Sequence, residues 1–125
     1  MILLLDAHAL LWWLDDSPEL GAQAREAISD TANEVLVSAV TVWEIEIKRS
    51  LGKLDAPMGL VDAADAAGFG SLTVTLRDAE MAGSLPAHHR DPFDRMLVAQ
   101  ATRLDAILVT RDEVFSRYGV ESLST

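Results

Sequence analysis

Five short apolar runs, separated by stretches of helical periodicity, constrain this chain more than any other feature. Ile2–Leu5, Val35–Val37, Leu72–Leu76, Ala106–Thr110 and Val120–Leu123 are each of strand length and too short for a buried helix. Ile2–Leu5 is apolar at every position, as a parallel strand buried on both faces requires. Between these runs the spacing predicts helices over Ala9–Leu14, from Ser17 and Pro18 to about Asp30, over Thr41–Leu51, Leu60–Phe69 and Arg77–Leu85, from Pro92 onward, and over Asp112–Tyr118 before Gly119. Strands alternating with helices predict an α/β sandwich with a central, mostly parallel five-stranded sheet, helices on its faces and right-handed crossovers.

With 125 residues and half of them hydrophobic, the chain is expected to form one domain over residues 1–125. It has no cysteine, so disulfides are excluded and a reducing cytoplasmic setting is expected. Its N-terminal apolar run is too short for a membrane span and lacks the basic flank of a signal peptide. The net charge of -10 argues against broad, salt-driven binding to nucleic acid, an objection that any nuclease reading has to meet.

The acids fall at telling places. Asp91 followed by Pro92 is a helix start, and Asp94 then shares a face with Leu97, Val98 and Ala101, so a carboxylate points inward at a helix N-terminus. Asp6 ends the first strand and Asp112 follows the fourth. Glu44 lies in the second turn after the second strand, on a stripe with Thr41 and Lys48, while Val40, Trp43 and Ile47 are expected to be buried. In open α/β sheets ligands gather outside the carboxyl ends of the strands, where the strand order reverses. If the first and fourth strands are neighbours, the four carboxylates can converge, a bound divalent cation is the natural resolution of their repulsion, and oxygen-only ligands point to Mg²⁺ or Mn²⁺. Plainer readings stand beside this one: Asp91 and Asp94 as helix caps, Glu44 as the partner of Lys48, and His88 and His89 as solvated loop residues.

Four segments together carry a resemblance. LLLDAHALLW, VSAVTVWEIEIK, DPFDRMLVAQA and LVTRDEVF, in this order over nearly the whole chain, resemble a PIN domain and in particular the VapC-type ribonuclease toxins of type II toxin–antitoxin pairs. The resemblance implies a PIN-like three-layer sandwich and an acidic centre at Asp6, Glu44, Asp94 and Asp112 that holds Mg²⁺ or Mn²⁺. Asp91 is an additional acid, and Ser38, Thr41 and Thr110 match accompanying polar positions. Ala7 and His8 depart from the pattern, since many relatives carry a small hydroxyl residue and Asn there. The implied activity is metal-assisted hydrolysis of an RNA phosphodiester, leaving a 5′-phosphate and a 3′-hydroxyl. Implied partners are RNA, a VapB-type antitoxin and a second copy of the chain. Lys48, Arg49, Lys53, Arg90, Arg95, Arg103 and Arg111 are the basic residues expected to offset the acidic excess near the site.

Two other classes compete. A catalytically idle RNA- or protein-binding scaffold would have lost one or more of the acids, and none is lost. A metal-dependent phosphatase or phosphoacceptor on a similar sheet needs a distal lysine, and the only lysines are Lys48 and Lys53. The first helix carries more apolar surface than one face requires: Leu10, Leu11, Trp12, Trp13 and Leu14 sweep most of its circumference, which predicts a covering partner.

Overall fold

The computed structural model describes all residues, 1–125, and its strands alternate with seven helices. Strands β1 (Ile2–Leu5), β2 (Glu34–Ser38), β3 (Gly70–Leu72), β4 (Ile107–Val109) and β5 (Ser122–Leu123) form one sheet in the order β3-β2-β1-β4-β5, with every pairing parallel. The helices are α1 (Ala7–Leu14), α2 (Ala22–Ser29), α3 (Ala39–Ser50), α4 (Leu60–Ala66), α5 (Leu76–Ser84) and α6 (Pro92–Leu104), followed by a 3₁₀ helix at Glu113–Tyr118.

The apolar strand runs divide between two cores by the two-residue alternation of a strand. Leu3, Leu5, Val35, Val37 and Val109 join one cluster with residues of α1, α2 and α4. Leu4, Leu36 and Leu108 point the other way, onto Leu97, Val98 and Ala101 of α6 and Phe115 of the 3₁₀ helix. Three layers follow directly. Each fully buried leucine of β1 contributes roughly 1.5–3 kcal/mol of burial, so the central strand is where a polar substitution does most harm.

Several element boundaries differ from expectation, each for a local reason. The third strand is Gly70–Leu72 and not Leu72–Leu76: Thr75 and Asp78 form a reciprocal capping box that starts α5, leaving Leu76 91% exposed. Gly70 supplies the close approach to β2, where a Cβ would sit 2.8 Å from Leu36 Cδ2. The left-handed φ of +83° at Gly68 stops α4 before Phe69. Ser17–Leu20 is a turn, and α2 begins at Ala22. On α3 the buried stripe is Val40, Thr41, Glu44 and Ile45, whereas Trp43 is 60% exposed and stacks edge-on against Phe93. The apolar excess of α1 is largely absorbed within the chain: Leu10 and Leu11 are buried, and half-buried Trp12, Trp13 and Leu14 pack against the same core.

No helix is long and apolar enough to cross a membrane. The strand order reverses between β1 and β4, the adjacent pair whose carboxyl ends carry Asp6 and Thr110.

Candidate metal centre

Three helix N-termini meet at that reversal, and the acids that cap them orient the site. Asp6 caps α1, its Oδ1 accepting from the Ala9 amide at 2.9 Å. Asp91 caps α6 through Oδ1, which accepts from Phe93 and Asp94 at 2.8 and 3.3 Å. Asp112 caps the 3₁₀ helix, its Oδ1 accepting from Val114 at 3.0 Å. A capping bond occupies one carboxylate oxygen and fixes the direction of the other.

Asp94 is different. The capping role falls to Asp91, so the Asp94 side chain is free to face the cleft from the first turn of α6. Asp6, Glu44, Asp91, Asp94 and Asp112 all line one open cleft of about 350 Å³, together with His8, Lys48 and Arg111. Glu44 is 6% exposed and accepts from Lys48 Nζ at 2.6 Å. The polar residues expected beside the acids are buried here: Ser38 caps α3, the Thr41 hydroxyl donates to the Leu5 carbonyl at 3.5 Å, and Thr110 Oγ1 accepts from the Asp112 amide at 3.1 Å.

Charge crowding shows in the ionisation of the acids. Burial, reinforced by Asp91, Glu44, Asp6 and Asp112, pushes the Asp94 carboxyl up to about 8. Burial also raises Asp6, against the Ala9 amide, the Thr110 side chain and His8, which favour its anion. A dense set of hard oxygen donors in which burial, with mutual repulsion behind it, favours a held proton fits a divalent cation, because the cation would replace that proton.

His89 is the residue that the sequence did not place. Its Nε2 lies 2.8 Å from Asp94 Oδ2 and 3.2 Å from Asp112 Oδ2, and these three side chains form the tightest potential ligand cluster. Asp6 and Glu44 line the same cleft outside that cluster. The available signal was proximity: His89 stands two residues before the helix cap Asp91, so its loop is tied to the N-terminus that carries Asp94. His88, in contrast, is exposed and rests against the Tyr118 ring.

The basic residues are more committed than expected. Arg103 makes two bonds to buried Asp78, Arg49 pairs with Glu46 and the Pro57 carbonyl, and Arg95 donates only to backbone carbonyls. Lys48 and Arg111 are the two cations on the cleft wall. Arg111 lies 4.5 Å over the Trp12 ring and is held by Glu19 and the Thr125 carbonyl.

The profile of the PIN domain matches residues 3–121. The chain belongs to the PIN domain family. Among solved structures, this PIN domain is similar to a chain of VapBC2 from Rickettsia felis, solved bound to a DNA fragment from its promoter, with a TM-score of 0.72 and 15% identity over 99% of this chain and 98% of that one. DNA-bound VapBC from Salmonella typhimurium gives 0.71 and 18% over 99% and 98%, and VapBC-1 from nontypeable Haemophilus influenzae gives 0.63 and 16% over the same shares. At these identities the likeness is one of fold. A search of curated protein sequences finds no match.

Proposed function

We propose that this PIN domain is a divalent-metal-dependent endoribonuclease and the toxin of a toxin–antitoxin pair, acting in the cytoplasm. The observation that carries the reading is the gathering of Asp6, Glu44, Asp91, Asp94 and Asp112 on one cleft at the strand reversal, where burial first and the neighbouring acids second push the Asp94 carboxyl up to about 8. Asp6, Glu44, Asp94 and Asp112 would hold Mg²⁺ or Mn²⁺. When bound, the cation supplies charge to a phosphoryl oxygen and acidifies water for attack on phosphorus.

The remaining work falls to the chain. Lys48 holds the Glu44 carboxylate in place through its ammonium, which that contact stabilises in turn. Thr110 fixes the backbone of Asp112, and the capping bonds of Asp6 and Asp112 leave one oxygen of each for the site. Arg111, restrained over Trp12, presents a fixed cation to the RNA backbone. Metal charge and these two cations answer the objection from net charge locally.

A second groove, of about 490 Å³, adjoins the acidic cleft through His8, and Leu11, Trp12, Leu14, Leu54 and Pro57 give it apolar walls. This arrangement supports a VapB-type antitoxin whose apolar residues fill the groove and carry a following arginine to the carboxylates. Chains in complexes of that kind share the fold. A homodimer is the other partner proposed.

The test is cleavage of total bacterial RNA by the purified chain. Cleavage is expected in Mg²⁺ or Mn²⁺, to stop on chelation, and to be lost in Asp94→Asn with native circular dichroism. An Asp94→Asn protein as active as the wild type would sink the reading, and no cleavage by either protein together with unchanged growth on induction would favour an RNA- or protein-binding scaffold.

A further inference from the structure

We propose that His89 is a phosphate-binding residue of this centre: a fixed N–H donor for a non-bridging phosphoryl oxygen, and not a ligand of the cation. The inference rests on the metal-centre reading above and deepens it. Three observations carry it.

First, the His89 backbone is fastened on both sides. Its N–H donates to Tyr118 Oη at 2.8 Å, and the same hydroxyl donates to the Pro86 carbonyl at 2.8 Å. Its carbonyl accepts from Arg95 Nη1 at 3.2 Å. Arg95 also donates to the carbonyls of Ala82, Gly83, Leu85 and Pro86, so one guanidinium stitches the end of α5 and the loop before α6 into a single surface. A guanidinium with every donor aimed at backbone oxygens is scaffolding, and what it scaffolds is His89.

Second, the ring is locked with its proton outward. The Asp91 amide donates to His89 Nδ1 at 3.3 Å, which makes Nδ1 the acceptor and assigns the hydrogen to Nε2. The Phe115 ring, 5.8 Å away, packs against the imidazole, which is 19% exposed. A metal-binding Nε2 needs its lone pair free and the hydrogen on Nδ1, where the Asp91 amide leaves no room for one.

Third, Nε2 hydrogen-bonds Asp112 Oδ2 at 3.2 Å and lies 2.8 Å from Asp94 Oδ2, so the donor sits among the acids themselves. A cation that takes the Oδ2 lone pairs facing His89 competes with the N–H for them and turns the donor toward the next acceptor beside these acids. A phosphoryl oxygen is that acceptor in the reaction proposed. Because the donor is already held, little freedom is lost when phosphate arrives.

The experiment separates cation binding from phosphate binding by calorimetry at one fixed pH, on wild type, His89→Ala, His89→Gln and Tyr118→Phe. Mn²⁺ alone is expected to bind His89→Ala within about threefold of wild type or more tightly. Inorganic phosphate, titrated into Ca²⁺-loaded protein, is expected to bind His89→Ala at least tenfold more weakly. His89→Gln, which keeps an N–H donor, is expected to recover part of that loss, and Tyr118→Phe to lose a smaller part with the ring chemically intact. A tenfold loss of Mn²⁺ affinity in His89→Ala would make His89 a ligand and overturn the proposal, as would phosphate binding indifferent to all three substitutions. The ribonuclease reading fails separately: a protein that binds phosphate through His89 yet cleaves no RNA keeps the donor and loses the enzyme, whereas wild type that takes up neither Mn²⁺ nor phosphate overturns both.

Discussion

Lys48 places its ammonium nitrogen 2.6 Å from Glu44 Oε2, one turn along α3, with the carboxylate almost wholly buried and the lysine partly open to the cleft. An i,i+4 pair on a solvated helix face contributes only a few tenths of a kcal/mol, but here the acid has no water to fall back on. Lys48→Ala is therefore expected to destabilise the metal-free protein by about 2 kcal/mol, and Mg²⁺ to restore most of the loss. Thermal unfolding with and without Mg²⁺ checks this; an equal loss in both conditions would mean that the cation does not reach Glu44.

The proton held by Asp94 gives the metal-free protein an unusual pH dependence. Its carboxyl lies near 8 in the fold against 3.8 ordinarily, so the folded state binds a proton that the unfolded chain has released. The resulting stability is fully present below about pH 4 and is lost as pH rises through 8. Chelated protein should accordingly lose stability between those limits, by on the order of a few kcal/mol from this group. Asp94→Asn should flatten the slope, and Mg²⁺ should stabilise the wild type more at pH 8 than at pH 5. Denaturant titrations across that range decide the matter, and a slope of the same size in Asp94→Asn would place its origin elsewhere.

Much of this was legible in the chain because strands and caps are local. The Ile2–Leu5 run and the Asp91-Pro92 start are written in adjacent residues, and the structure uses both as read. The third strand was misplaced because LTVTL has strand alternation, while the Thr75–Asp78 capping box and the close approach of Gly70 to Leu36 lie on top of that pattern. Trp43 misled on α3 because its spacing from Val40 and Ile47 marks one apolar face, yet the helix turns Thr41 and Glu44 inward, where a polar stripe faces the site. His89 stayed hidden because its partners, Tyr118 and Asp112, come from more than twenty residues away.

Asp78 tests whether Arg103 serves the fold or the RNA. The carboxylate is 2% exposed, completes the cap of α5 and takes both Arg103 nitrogens at 2.7 and 3.0 Å, which hold its pKa below the ordinary value. Stability from a lowered carboxyl is present above pH 4 and disappears as pH falls through the folded pKa. Asp78→Asn should cost about 2 kcal/mol at pH 7 and progressively less in acid, with no change in RNA cleavage under folding conditions. A cleavage defect without a stability defect would return Arg103 to the RNA surface.

Trp12 and Trp13 separate a partner surface from a core. Trp13 lies against Phe69, with ring centroids 6.0 Å apart, and packs on the cluster that β1 and β2 bury. Trp12 sits between His8, at 5.3 Å, and the Arg111 guanidinium, and it forms part of the groove that opens beside the acids. Trp13→Ala should therefore lower stability by about 3 kcal/mol and affect antitoxin affinity only through the folded fraction. Trp12→Ala should cost stability less, about 1 kcal/mol, since its ring contacts are partly solvated. It should weaken binding of the cognate antitoxin by about 2 kcal/mol, because an aromatic wall beside the charged end of a groove is where an inserted tail is anchored. Titrating the antitoxin against both variants, each held well below its unfolding midpoint, distinguishes the two roles. Equal affinities for wild type and Trp12→Ala would move the antitoxin off this groove, and a Trp13 effect larger than that of Trp12 would place the interface on the α2 side of α1.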